Sequence, residues 1–132
     1  MRVLGIDYGE RKVGLAMGDT DLRVASPLEV WEHNGNAEAL VSRLLTFADK
    51  EDVGGIVVGI PKNSLGEDTK RGAVHRRFVA RLKATTPISV FEVDESFTSA
   101  ESRRLQREFG SDASEDALSA MLILEEYFGT LV

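Results

Sequence analysis

Residues 1–19, MRVLGIDYGERKVGLAMGD, decide the fold. They contain a short apolar run of strand-forming residues, Val3 to Ile6, which stops at Asp7-Tyr8-Gly9. A turn then leads into a second apolar run, Val13 to Met17. Two such runs joined by a short turn that contains glycine predict a β-hairpin.

The hairpin is followed by a third extended stretch and then by a helix. The extended stretch covers Val24 to Trp31, and Pro27 within it predicts an edge strand, because proline has no N–H to donate to a neighbouring strand. From Asn36 the apolar residues recur about every four positions, which predicts an amphipathic helix. Its apolar face consists of Leu40, Val41, Leu44, Leu45 and Ala48.

The remaining chain alternates strands and helices. Ile56 to Ile60 is a continuous apolar run, typical of a strand that is buried on both faces of a parallel sheet. A helix is predicted from Thr69 to Ala84, with an inward stripe formed by Val74, Phe78 and Leu82. The last strand covers Ile88 to Val93, and two helices follow, one from Thr98 to Gly110 and one capped by Ser114 or Asp112 that runs to Phe128.

This order of elements, β-β-β-α-β-α-β-α-α, predicts an α/β fold with a mixed five-stranded sheet and helices on both faces. The length of 132 residues, with 42% hydrophobic residues, suits one domain over residues 1–132. No stretch is long and apolar enough to cross a membrane, and the N-terminus does not resemble a signal peptide, so a cytoplasmic location with no membrane partner is expected.

Composition also limits the chemistry. The chain has no cysteine, which excludes disulfides, thiolate metal sites and cysteine nucleophiles. The formal net charge of -6 argues against a generally basic nucleic-acid binder, so a polyanion would have to bind at a local basic patch.

Three carboxylates follow or begin elements that an α/β sheet brings to one region. Asp7 follows the first strand, Glu95 follows the last strand, and Asp116 lies in the first turn of the final helix. The carboxyl ends of strands form the ligand crevice of such sheets. Singly, Asp116 could serve as a helix cap and Asp7 as a turn residue; together, the three suit Mg²⁺ and phosphodiester hydrolysis.

Four motifs occur in order along nearly the whole chain. They are Ile6-Asp7-Tyr8-Gly9 with Lys12-Val13-Gly14-Leu15-Ala16, then Val58-Gly59-Ile60-Pro61-Lys62-Asn63-Ser64-Leu65-Gly66, then Asp94-Glu95 with Thr98, and finally Asp116 leading into Leu122-Ile123-Leu124-Glu125. Together these motifs resemble the YqgF (RuvX) family of bacterial Holliday junction resolvases. The family is also described as the nucleases that process the 5′ end of the 16S ribosomal RNA precursor.

The resemblance implies an RNase H-like fold and a nuclease that depends on Mg²⁺ or Mn²⁺. Asp7, Glu95 and Asp116 fall on the acidic positions of the family, where Asp7 would bridge the metal ions. The implied partner is a nucleic acid, either pre-16S rRNA or branched DNA. One departure is Ser96, which stands where the family usually has arginine after the Asp-Glu pair.

A candidate substrate surface lies in the second half of the chain. No acidic residue occurs between Thr69 and Phe91. The cations of this segment are Lys70, Arg71, Arg76, Arg77, Arg81 and Lys83, and Arg103, Arg104 and Arg107 suggest a second patch near Glu95. Asn63, Lys70, Arg71, Arg77 and Thr98 are the candidate substrate-binding residues. A run of cations is also typical of an ordinary solvated helix face.

His33 and His75 lack partners at ligand spacing and are predicted to lie on the surface.

The sequence also leaves two other functions open. The chain could be a nucleic-acid-binding module that cuts nothing, or a phosphotransferase related to sugar kinases, although its length supplies only one of the two domains of such enzymes. The sequence does not separate RNA from DNA as the substrate, or a monomer from a homodimer.

Overall fold

The computed structural model describes residues 1–62, 69–95, 104, 107–108 and 114–131. Its strands are β1 (Arg2–Tyr8), β2 (Lys12–Asp19), β3 (Val24–Glu32), β4 (Gly55–Pro61) and β5 (Ser89–Glu95). Its helices are α1 (Ala37–Lys50), α2 (Lys70–Thr85) and α3 (Glu115–Gly129). The strands form one mixed sheet in the order β3-β2-β1-β4-β5, which confirms the predicted α/β architecture.

The hairpin at the start of the chain is confirmed. β1 pairs with β2 in antiparallel register, with Asp7 opposite Gly14, and it pairs with β4 in parallel register. β3 lies at the edge of the sheet, as Pro27 predicted, and its register with β2 shifts next to Pro27. Because β3 is an edge strand, the N–H that Pro27 lacks is not needed for pairing with a further strand.

One face of the sheet packs against α1 and α2. The predicted α1 is confirmed, because the Asn36 side chain accepts a hydrogen bond from the Ala39 N–H and the apolar face of the helix is buried. The inward stripe predicted for α2 is wrong at one position, since Val74 is 42% exposed. The stripe that packs against the sheet instead consists of Gly72, His75, Phe78, Val79 and Leu82.

The other face of the sheet packs against α3, which begins after the N-cap Ser114 as predicted. Glycines in the strands let this helix come close. A Cβ atom on Gly5 would lie 2.6 Å from a side-chain carbon of Leu124, and one on Gly14 would collide with the backbone oxygen of Asp116. The first turn of α3 is therefore fixed directly above Gly14.

Several predicted features lie outside the described residues. They are Asn63 and most of its loop, Ser96, Thr98, Arg103, and most of the helix predicted from Thr98 to Gly110, of which Arg104, Arg107 and Glu108 are helical. Within the described part of the chain, no helix is both long and apolar enough to cross a membrane.

Candidate active site

The side chains of Asp7 and Glu95 meet at the carboxyl ends of β1 and β5. Alternation along β1 places Asp7 on the α3 face of the sheet, together with Val3 and Gly5. Glu95 lies on the same face, and the two carboxyl groups share a hydrogen bond. This is the convergence of strand ends that the sequence predicted.

The electrostatics of this pair favour a shared proton. Burial, the charge of Asp7 and the hydrogen bond to Asp7 together raise the pKa of Glu95 from 4.5 to about 8. Burial also raises the pKa of Asp7, although the hydrogen bond from Glu95 opposes that change. Two partly buried carboxylates in contact cannot both ionise cheaply, so the proton resides on Glu95, which donates it to Asp7.

The third predicted carboxylate, Asp116, lies beside this pair. It occupies the first turn of α3 directly above Gly14, which is the register partner of Asp7 on β2. Asp116 is exposed, and its charge contributes to the raised pKa of Asp7. The Ser114 hydroxyl accepts the Asp116 N–H, so the cap of this helix does not depend on the aspartate side chain.

Gly59 on β4 supports Glu95 from below. A Cβ atom at Gly59 would lie 2.7 Å from Cγ of Glu95 and 2.6 Å from Cδ1 of Ile123. The bare Cα of Gly59 therefore makes room for the candidate carboxylate. On the opposite side of the strand, the Gly59 carbonyl accepts a hydrogen bond from His75 Nδ1 at 2.9 Å.

Arg71 is the predicted substrate residue that the described structure brings to the carboxylates. Its positive charge partly opposes the rise in the pKa values of Asp7 and Glu95. Lys70 and Arg77 are exposed and share another face of α2, because seven residues make about two turns of helix. The cations of α2 therefore do not form one continuous surface directed at the site.

The second predicted basic patch is only partly free to bind a polyanion. Arg104 forms ion pairs with Glu108 at 3.0 Å and with Glu125 at 3.3 Å. Its charge is thus already matched by carboxylates of the same chain. Arg107 is exposed, and Arg103 lies outside the described residues.

The prediction that both histidines lie on the surface is wrong. His75 is 3% exposed and His33 is 9% exposed. His75 lies three residues after Gly72 and four before Val79, so helical spacing could have placed it on the buried stripe. Nε2 of His33 donates to the Gly9 carbonyl, and Nδ1 accepts from the Gly35 N–H, contacts that no local pattern indicates.

The donor set suits a hard cation. Two carboxyl groups in hydrogen-bond contact and a third close enough to act on them electrostatically offer only oxygen ligands, which Mg²⁺ and Mn²⁺ prefer. A cation would relieve the repulsion that now keeps a proton on Glu95. Among the described residues, no three His, Cys, Asp or Glu side chains are already gathered at metal-binding distance.

Comparison with known proteins adds to this geometry. A family model described as RuvX, Holliday junction resolvase, matches residues 1–130. A protein of Maridesulfovibrio salexigens named "Putative pre-16S rRNA nuclease" is 35% identical over 132 residues, which cover 96% of this chain and 97% of that protein. A protein of the same name from Rickettsia typhi is 30% identical, and the match covers 93% of this chain and 81% of that protein.

Solved structures share the fold at much lower identity. The structure of Thermus thermophilus RuvC matches with a TM-score of 0.63 at 16% identity, covering 97% of this chain and 94% of that one. Fowlpox virus resolvase, solved with Holliday junction DNA, matches with a TM-score of 0.64 at 8% identity, covering 100% and 99%. These matches show that the chain has the RNase H-like fold of such resolvases.

Proposed function

Because this chain belongs to the RuvX family of Holliday junction resolvases, we propose that it is a metal-dependent nuclease that processes the 5′ end of pre-16S rRNA. The observation that carries the proposal is the Asp7–Glu95 pair, partly buried at the strand ends, with the charges of Asp116 and Arg71 acting on it. The names of the relatives indicate the RNA substrate.

Asp7, Glu95 and Asp116 would hold the cation, Mg²⁺ or Mn²⁺. Such an ion supplies Lewis acidity that activates water and stabilises charge on the phosphate. In its absence the proton on Glu95 keeps the partly buried pair at one negative charge instead of two. The rigid strands β1 and β5 fix the two carboxyl groups relative to each other, so little reorganisation is needed at the pair itself.

Arg71 would bind a phosphate of the substrate backbone beside the carboxylates. Its guanidinium can form two parallel hydrogen bonds with phosphate oxygens, which orients the strand as well as attracting it. Lys70 and Arg77, on another face of α2, would add weaker electrostatic attraction that falls with salt. Asn63 and Thr98 remain predicted contacts, since neither belongs to the described residues.

The proposal is tested with labelled pre-16S rRNA and a synthetic four-way DNA junction, each incubated with and without Mn²⁺. We expect cleavage of the RNA near the mature 5′ end, loss of cleavage with a chelator, and recovery with Mg²⁺ or Mn²⁺. Asp7→Asn should abolish it, whereas Asp49→Asn, at an exposed position on α1, should not. Cleavage that survives Asp7→Asn would refute the assignment of the site.

Branched DNA is the second candidate substrate, because the fold is that of resolvases solved with Holliday junctions. A resolvase must cut two strands symmetrically, so this alternative requires a homodimer with two sites, whereas trimming of an RNA end does not. Sedimentation of the protein with each nucleic acid separates the two cases. A nucleic-acid-binding module without activity would bind the RNA independently of metal and cleave none of the substrates.

A further inference from the structure

A cavity of about 320 Å³ opens on the other side of β1 from the carboxylates. It is lined by Tyr8, Gly9, Glu10, Arg71, Val74 and His75, and is called here the β1–α2 pocket. Its volume falls within the range of small-molecule sites, about 300–1,000 Å³. Asp7 and Tyr8 are adjacent on β1 and point to opposite faces, so the pocket and the candidate active site share one strand end.

His75 presents a hydrogen-bond acceptor at this pocket. Its Nδ1 lies 2.9 Å from the Gly59 carbonyl, which can only accept, so Nδ1 carries the proton. Burial lowers the pKa of the ring, and the imidazole is neutral at pH 7. Nε2 is thus a hydrogen-bond acceptor, and it has no partner among the described residues. Among these residues, every side-chain nitrogen or oxygen that is sealed from solvent has a hydrogen-bond partner. Nε2 is therefore accessible to solvent.

Packed rings hold the wall of the pocket in place. The Tyr8 ring stacks on Phe78 with a centroid distance of 4.1 Å and forms a T-shaped pair with His75 at 5.5 Å. It also stacks on His33 at 5.3 Å. Because these rings are fixed by their neighbours, the imidazole does not have to be ordered when a ligand binds.

Apart from Gly9, the remaining lining residues are an apolar side chain, Val74, a cation, Arg71, and an exposed acid, Glu10. Val74 is 42% exposed at the rim, where it offers apolar surface to a ligand. Arg71 lines the same pocket, and its charge acts on His75 as well as on Asp7 and Glu95. It therefore lies between the pocket and the carboxyl pair, where a phosphate that joins two nucleotides could be held.

We infer that the β1–α2 pocket binds the nucleoside next to the scissile phosphate, with His75 Nε2 accepting a hydrogen bond from it. The donor is a ribose 2′-hydroxyl or an exocyclic amino group of the base, while Val74 contacts the apolar part of the sugar or base. This inference rests on the proposed function, since it places the scissile phosphate at the carboxylates beside Arg71.

Binding is measured without metal, so that it does not depend on cleavage. The protein is titrated in EDTA with a 5′-phosphorylated adenylyl-adenosine dinucleotide, and the His75 ring and the Val74 methyl resonances are followed by NMR. Parallel titrations use the all-deoxy dinucleotide and the inosine analogue, which lacks the exocyclic amino group. Weaker binding of the deoxy form identifies the 2′-hydroxyl as the donor, and weaker binding of the inosine form identifies the amino group.

Two variants and a control complete the experiment. His75→Asn can keep the donor to Gly59 but removes the Nε2 acceptor, and should raise the Kd about three- to tenfold and abolish the discrimination between analogues. Val74→Glu, at an exposed position, should raise the Kd at least as much by placing a negative charge at the rim. Ala80→Glu adds the same charge at an exposed position outside the pocket and should change the Kd less than twofold.

The inference is overturned if both pocket variants bind the dinucleotide as tightly as the unmodified protein does. It is also overturned if the dinucleotide shifts protein resonances outside the pocket and leaves those of His75 and Val74 unchanged. Should His75→Asn not fold, Val74→Glu still decides the outcome. Failure of the proposed function has a different signature: the dinucleotide binds at the pocket, but neither RNA nor the junction is cleaved with metal. Cleavage that depends on Asp7 without any effect of the pocket variants would remove the subsite alone.

Discussion

Replacing Glu95 by glutamine should abolish cleavage and yet stabilise the metal-free protein at alkaline pH. The pKa of Glu95 rises from 4.5 to about 8 on folding, because of burial, the charge of Asp7 and the hydrogen bond to it. Between these pH values the unfolded chain releases a proton that the folded protein keeps, so stability is lost as the pH rises through this window. Glutamine carries no charge and still donates to Asp7, so the variant avoids the loss.

The size of the effect follows from the pKa change. Linkage with these two values gives a decrease in the free energy of unfolding of about 4 kcal/mol between pH 5 and pH 8.5 for the unmodified protein. Small domains have a total stability of about 5–15 kcal/mol, so the difference is easily measured. Urea unfolding, followed by fluorescence of the buried Trp31 in EDTA, provides the assay.

The decisive quantity is the difference in unfolding free energy between Glu95→Gln and the unmodified protein at the two pH values. Glu92→Gln, at an exposed position on the same strand, serves as the control and should follow the unmodified protein. A difference that changes by less than about 1 kcal/mol between pH 5 and pH 8.5 would mean that burial and Asp7 do not hold Glu95 protonated. In that case the electrostatic description of the carboxyl pair fails.

Three further perturbations address the surroundings of the pair. Asp7→Asn should eliminate cleavage without lowering the thermal midpoint in EDTA, since asparagine can keep a hydrogen bond with Glu95 and the pair still carries at most one negative charge; a destabilised variant would contradict this. Gly14→Ala should lower the free energy of unfolding in urea by about 1–3 kcal/mol and reduce cleavage, because the added methyl group collides with the backbone of α3. Gly129→Ala is the control: its methyl group would have nothing within 4 Å, so stability and cleavage should both be unchanged. Arg71→Ala should weaken RNA binding in a filter assay more than Lys70→Ala does, and equal losses would show that only net charge matters.

Much of the fold follows from local patterns. The apolar run of β1, the proline of β3 and the four-residue spacing of α1 each predict the element that the structure contains, because a strand or helix must bury its apolar side chains with its own period. The assignment of Val74 to the buried stripe failed for a related reason. Helical spacing is compatible with more than one buried stripe on α2. The stripe that is buried includes His75, whose hydrogen-bond partner, the Gly59 carbonyl, is brought to it only by folding.

The sequence alone therefore determined the order of the elements, their periods, and the three carboxylates at the ends of strands and at the start of a helix. Only the tertiary structure decided which groups interact: Asp7 with Glu95, Asp116 above Gly14, and His75 with the Gly59 carbonyl. The physical reason is that a pKa or a hydrogen bond depends on distance and burial. Both are set by packing between segments remote in the chain, which no local pattern encodes.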